Sequence, residues 1–150
     1  MKTLLLVIGL ALSYTASAQW IYKTVDNGFD PPYKIAHTDL IQNEFLKLEN
    51  YNNNISFYID HLYICDETVN VDISFLVNGV YQKYKIENCY VSEDNETVFF
   101  VDNITTHEML SSFKTASLVK VRINDTTCDV VIYEFKMSGS KAAYNYVVAP

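Results

Sequence analysis

Val71-Asp72-Ile73-Ser74-Phe75-Leu76-Val77, then Asn78-Gly79, then Val80-Tyr81-Gln82-Lys83-Tyr84-Lys85-Ile86, is the stretch on which the fold turns. Apolar and polar residues alternate on both sides of Asn-Gly, the period of a half-buried strand. Asn and Gly both tolerate positive φ, which a type I′ turn needs at its two central positions. The stretch therefore predicts an antiparallel hairpin with Val77 facing Val80.

Similar alternation with β-branched and aromatic residues extends on either side. Residues 20–25 and 33–37 read as strands separated by the turn-rich Asp26-Asn27-Gly28-Phe29-Asp30-Pro31-Pro32. Residues 45–49, 55–64, 97–101, 118–123 and 130–136 read as further strands, with Asn50 to Asn54 breaking the pattern between the first two. Two short helices punctuate them. Thr105-Thr106-His107-Glu108 has capping-box spacing and is followed by Met109, Leu110 and Phe113 on one face. The second helix begins near Ser138 or Ser140 and carries Ala142, Ala143, Tyr146 and Val147 on one side. Many short strands with two small helices predict an all-β fold, an antiparallel sandwich of jelly-roll type, as one domain over 19–150. A parallel α/β sheet would need several helical patterns of 10 to 15 residues, and the chain lacks them.

The chain has 150 residues, 49% apolar and 19% charged, with a mean hydropathy of +0.01. That composition excludes a disordered chain and a disulfide-scaffold mini-protein. Residues 1–18 run basic, apolar, small-x-small: Lys2, an apolar stretch at 4–12, then Ala16-Ser17-Ala18. This is the pattern of a cleaved secretory signal, too short in its apolar part for the roughly 20 residues of a membrane span. The expected product is a secreted or periplasmic protein starting at Gln19, with no transmembrane segment after cleavage. Cleavage removes Lys2 and leaves 10 basic against 18 acidic side chains, a formal charge of −8. Such a balance argues against nucleic acid and anionic membrane as partners, because both require clustered Lys and Arg. Arg122 is the one arginine.

In an oxidising compartment some of Cys65, Cys89 and Cys128 would pair. Continuing the hairpin register places Cys89 opposite Thr68, just after Cys65, and predicts a Cys65–Cys89 disulfide with Cys128 free. A bond from Cys65 or Cys89 to Cys128, at the tip of its own hairpin, is the rival, and three unpaired thiols the third possibility.

Candidate chemistry is sparse. Ser138-Gly139-Ser140-Lys141 has the S-x-x-K spacing by which a lysine can activate a serine one turn away, but a serine there is equally an N-cap, and the companion motifs of penicillin-recognising enzymes are missing. His37, His61 and His107 fall on different elements without zinc-ligand spacing, so no metal is expected. Asp26 to Asp30 and Glu93 to Glu96 offer oxygens without the spacing of a calcium loop. No catalytic residue and no cofactor is expected. Eleven of the 12 tyrosines follow the leader, and Tyr58, Tyr63, Tyr81 and Tyr84 are candidate binding aromatics, weighed against a place in the core. Sequons at Asn54, Asn95, Asn103 and Asn124 matter only in a eukaryotic secretory pathway.

Trp20, a short helix leading into Leu118-Val119-Lys120-Val121-Arg122, and Tyr133-Glu134-Phe135-Lys136-Met137 running into Ser138-Gly139-Ser140-Lys141-Ala142-Ala143 complete the pattern. It resembles the exported bacterial proteins of the invasion-associated locus B type and their relatives associated with type VI secretion or encoded by phages. The resemblance covers the last third of the chain; Ser140 stands where the family more often has an aromatic, and the family's N-terminal cysteine pair is missing. It implies a periplasmic or secreted β-sandwich without established catalytic residues. The expected function is that of an exported, non-enzymatic interaction protein with a protein partner at the cell envelope or outside it. A small secreted hydrolase using Ser138 and Lys141, and a carbohydrate-binding module using exposed tyrosines, are the alternatives. Mass spectrometry of the protein exported by its producing cells is expected to find Gln19 as the first residue; an exported chain that keeps Met1 would refute the leader.

Overall fold

Asn78 and Gly79 sit at φ of 50° and 80°, and Val77 pairs with Val80, so the decisive hairpin closes through the type I′ turn that Asn-Gly encodes. It lies within a computed structural model that describes residues 20–38, 45–100 and 103–150, without the side chains of Phe45 and of 103–107. The leader, Gln19 and Val101 lie outside the described residues, as do the side chains of Thr105 and His107 in the expected capping box.

In chain order the elements are β1 (Trp20–Val25), β2 (Tyr33–Thr38), β3 (Phe45–Tyr51), β4 (Asn54–Asp60), β5 (Thr68–Val77), β6 (Val80–Val91), β7 (Val98–Phe99), α1 (Asn103–Thr115), β8 (Leu118–Asn124), β9 (Val131–Lys136) and α2 (Ser140–Val148). Every strand pair is antiparallel, which agrees with the all-β expectation. The arrangement differs from the expected pair of stacked sheets. All nine strands are hydrogen-bonded into one sheet, in the order β1-β2-β3-β4-β7-β6-β5-β8-β9. Helices α1 and α2, both short as expected, pack on one of its faces.

Alternation explains which face. Val69, Val71, Ile73, Phe75 and Val77 of β5 are buried, while Asp72, Ser74 and Leu76 between them are only half-buried. Val119, Val121 and Ile123 of β8 continue the inner face. Met109, Leu110 and Phe113 of α1, and Ala143 and Val147 of α2, close over it. Phe113 meets Trp20 edge-on at 5.4 Å and Phe57 at 5.3 Å. Phe57 in β4 and Phe75 in β5 are three strand positions apart, roughly 14 Å in a flat sheet, yet their rings lie 6.4 Å apart. The sheet coils around the core.

Gly139 enters α2 at φ 89°, and a Cβ there would come within 3.2 Å of the Trp20 ring. Both the backbone conformation and the close approach call for glycine. The strand expected over 55–64 stops at Asp60 because His61 turns the chain at φ 64°. Leu62 and Ile64 donate their N–H groups to the Glu96 and Asn95 carbonyls instead.

The cysteine pairing corrects the sequence reading: Cys65 is bonded to Cys128, and Cys89 is free and buried. A one-residue bulge is the reason. Val71 pairs with Ile86 as the turn dictates, but Val69 pairs with Cys89, so β6 spends an extra residue between them. Asn88 takes φ 55° there, and its N–H donates to Asn70 Oδ1 at 3.1 Å. Because side chains alternate, the extra residue turns Cys89 inward, away from Cys65. Burial pushes its thiol up to about 12. Non-reducing peptide mapping is expected to recover a 65–128 linked pair, with Cys89 alkylated only after unfolding. The bond closes a loop of 63 residues, so Cys128→Ser should cost about 4 kcal/mol in urea unfolding, whereas a linked peptide containing Cys89 would contradict the pairing.

Candidate functional site

The face of β6, β5, β8 and β9 opposite the helices carries a group of cations. Lys83 and Lys120 flank Ser74, and Lys85 and Arg122 flank Asp72, through the pairings of β6 and β8 with β5. Same-side residues along a strand are roughly 7 Å apart and next-but-one strands roughly 10 Å apart, so the four cations form a small grid. On β9, Ile132 lies opposite Arg122 and Glu134 opposite Lys120. The four cations, with Asp72, Ser74 and Ile132, line an open groove of about 390 Å³.

Its charges are unequally matched. Arg122 Nε donates to Asp72 Oδ2 at 2.9 Å, its Nη2 contacts the same oxygen, and Asn124 Nδ2 adds a third donor at 3.2 Å. The Arg122 guanidinium, helped by Asn124 against partial desolvation, holds the Asp72 carboxyl below the usual carboxylate range. Lys120 pairs with Glu134 at 3.0 Å, and its ammonium is favoured by that hydrogen bond. Lys85 and Glu87 are 3.8 Å apart and both exposed. Lys83 makes no ion pair among the described residues. Asp72, Glu134 and Glu87 thus offset three of the four cations at contact distance, and Lys83 leaves the group a positive excess.

Four of the chain's 11 Lys and Arg thus share one face of a protein whose net charge is −7. Overall composition concealed this. The available signal was Lys83-x-Lys85 and Lys120-x-Arg122, whose period of two puts each pair on one face once β5 separates their strands.

The candidate aromatics do not form one surface. Tyr58 is buried, its hydroxyl donates to Glu49 Oε2 at 2.6 Å, and burial followed by that carboxylate raises its pKa. Tyr84 is half-buried on the inner side against Phe75; its hydroxyl lies 2.8 Å from Ser112 Oγ, which donates to Gln82 Oε1. Tyr63 is 80% exposed beyond β4, and Tyr81 is 42% exposed near the hairpin turn. Of the four, Tyr81 interacts with Lys120, and Tyr84 is among the residues that line the cationic groove.

Ser138 and Lys141 are both exposed, with Gly139 and the buried Ser140 between them, and no hydrogen bond joins them. Gly139, rather than a serine, occupies the N-cap of α2. His37 Nδ1 lies 2.9 Å from the Thr38 carbonyl, and His61 Nδ1 lies 3.6 Å from Asp60; the two imidazoles occupy different elements, and the His107 side chain is outside the described residues. The oxygens of the two acidic turns are engaged locally: Asp26 Oδ1 accepts from Gly28 N–H and Asp94 Oδ1 from Glu96 N–H.

Around the disulfide, Asp125 Oδ2 accepts from Cys65 N–H at 2.7 Å, and its Oδ1 accepts from the N–H groups of Thr127 and Cys128. Cys65, Asp125 and Cys128 are close enough to resemble a metal-ligand set, but the disulfide occupies both sulfurs. Asp66 accepts from the Thr126 N–H and hydroxyl at 2.7 and 2.6 Å and from the Thr127 hydroxyl. These form a clasp for the β8–β9 connection.

No protein-family model, curated protein or solved structure matches the chain. Among the described residues no helix is long and apolar enough to cross a membrane.

The clasp makes an acid prediction. Hydrogen bonds from Thr126 and Thr127 pull the Asp66 carboxyl below its ordinary value, so its stabilisation is complete above the unfolded value near about 3.9 and is lost as pH falls through the folded pKa. Asp66→Asn is expected to lower the urea midpoint at neutral pH, with wild type and variant converging as pH falls below about 4. A gap that stays constant through that range would show that the carboxylate charge contributes nothing.

Proposed function

We propose that the protein is an exported, non-enzymatic binding protein that engages another protein at the cell envelope or outside it through the cationic face of its sheet. The observation that carries this is the grid of Lys83, Lys85, Lys120 and Arg122 on a sheet face that no helix covers among the described residues. Clustered charge on an open face steers association and selects for a partner surface of opposite sign. An acidic protein is favoured over nucleic acid because the rest of this acidic chain would repel a long polyanion. The Cys65–Cys128 disulfide suits an oxidising compartment, in keeping with the leader at 1–18. The likeness to the invasion-associated locus B type belongs to the same proposal: its residues run through β8, β9 and the start of α2.

A photo-cross-linking residue at Ser74, on the floor of the groove, tests the reading in the producing cells. A discrete protein adduct is expected, and it should disappear when Lys83 and Lys85 are both replaced by Glu, since like charges across an interface cost several kcal/mol. Absence of any protein adduct, or one indifferent to the reversal, would overturn the assignment of this face.

A further inference from the structure

We infer that the occupant of the cationic face is a second copy of this chain, whose β1–β2 loop seats Phe29 against Ile132 and sets Asp26 and Asp30 among the four cations. The inference rests on the reading of that face as a protein-binding surface and names its partner.

The loop is built as a knob. Phe29 is 95% exposed, the most exposed of the large apolar side chains described. Its backbone is nevertheless pinned: Asn27 Oδ1 accepts from the N–H groups of Phe29 and Asp30 at 3.0 and 2.9 Å, Asp26 Oδ1 accepts from Gly28 N–H at 2.9 Å, and Asn27 Nδ2 donates to Asp30 Oδ2 at 2.9 Å. Pro31 and Pro32 stiffen the exit. A pre-ordered aromatic loses little freedom on binding, and buried aromatics are the usual anchors of interfaces. Two carboxylates and no cation flank it, so its socket should combine an apolar contact with positive charge.

The groove over β5 has that combination. Ile132 is 64% exposed at its margin, beside Arg122, with Lys83, Lys85 and Lys120 around it. Knob and socket cannot meet within one chain. From β2 to β5 the sheet order counts five strand spacings, roughly 24 Å in a flat sheet, and coiling toward the helices spreads the outer face further. The contact is therefore head-to-tail, and such contacts propagate into open rows or close into rings.

Sedimentation velocity of the complete exported protein, over a wide concentration range at low and high salt, decides the matter. Wild type is expected to associate with rising concentration and to dissociate as salt screens the charges. Phe29→Ser, the pair Asp26→Lys with Asp30→Lys, and the pair Lys83→Glu with Lys85→Glu are each expected to weaken association on the order of 100-fold. Mixing the two charge-reversed proteins should restore it, because each then meets a complementary surface on the other. Phe29→Ser changes an exposed side chain and keeps the test independent of folding. A wild type that stays monomeric, or an association that survives the reversals or is not restored by mixing, overturns the inference. In the monomeric case a Ser74 adduct to a different protein would leave the binding-face reading standing, and absence of any adduct would remove both.

Discussion

Val98 and Phe99, the whole of β7, form the ladder between the two four-strand halves of the sheet, extended on either side by backbone bonds from Leu62 to Glu96, Ile64 to Asn95 and Phe100 to Phe57. The aromatic cluster beneath this short ladder packs the two halves against each other. Phe57 supplies the centre of that cluster, with Phe100 at 5.1 Å, Phe113 at 5.3 Å and Phe75 at 6.4 Å. Phe113 carries α1 into the gap, and Trp20 against it ties in the far edge of the sheet. Each buried aromatic contributes about 1.5–3 kcal/mol from transfer alone, with specific ring geometry adding to that. The coil of the sheet, the seating of the helices and the exposure of the opposite face all depend on this cluster.

The same coil explains why the outer face holds charge. On the inner side the aromatic cluster and two helices bury mostly apolar residues, and the hydroxyls of Tyr84 and Ser112 are hydrogen-bonded to one another. On the outer side no layer of the described residues covers β5 and β8, and their alternate positions carry Asp72, Lys120 and Arg122. The pairing of Arg122 with Asp72 orders part of that surface, while the exposed Lys83, which makes no ion pair among the described residues, supplies its positive excess.

At the opposite end of β5 a single inserted residue near Asn88 settles the sulfur chemistry. Turning Cys89 into the core leaves Cys65 to the β8–β9 connection, where Asp125 and Asp66 hold the chain by accepting backbone and hydroxyl hydrogen bonds. The disulfide and this clasp reinforce one another, because both fix residues 65–66 against residues 125–128.

Neighbours along the chain were enough for the strands marked by alternation, the Asn78-Gly79 turn with its register, the two short helices and the antiparallel class. Period and turn chemistry are local, so they survive without knowledge of the fold. Contacts between residues far apart along the chain settled the rest. A bulge at Asn88 redirected Cys89; strand order made one sheet where two were expected; Tyr58 and Tyr84, readable as binding aromatics, were drawn into hydrogen bonds with Glu49 and Ser112. Two unremarkable charge pairs, Lys83 with Lys85 and Lys120 with Arg122, became one cationic face because β5 pairs with both of their strands, a juxtaposition set by long-range backbone hydrogen bonds that no local pattern encodes.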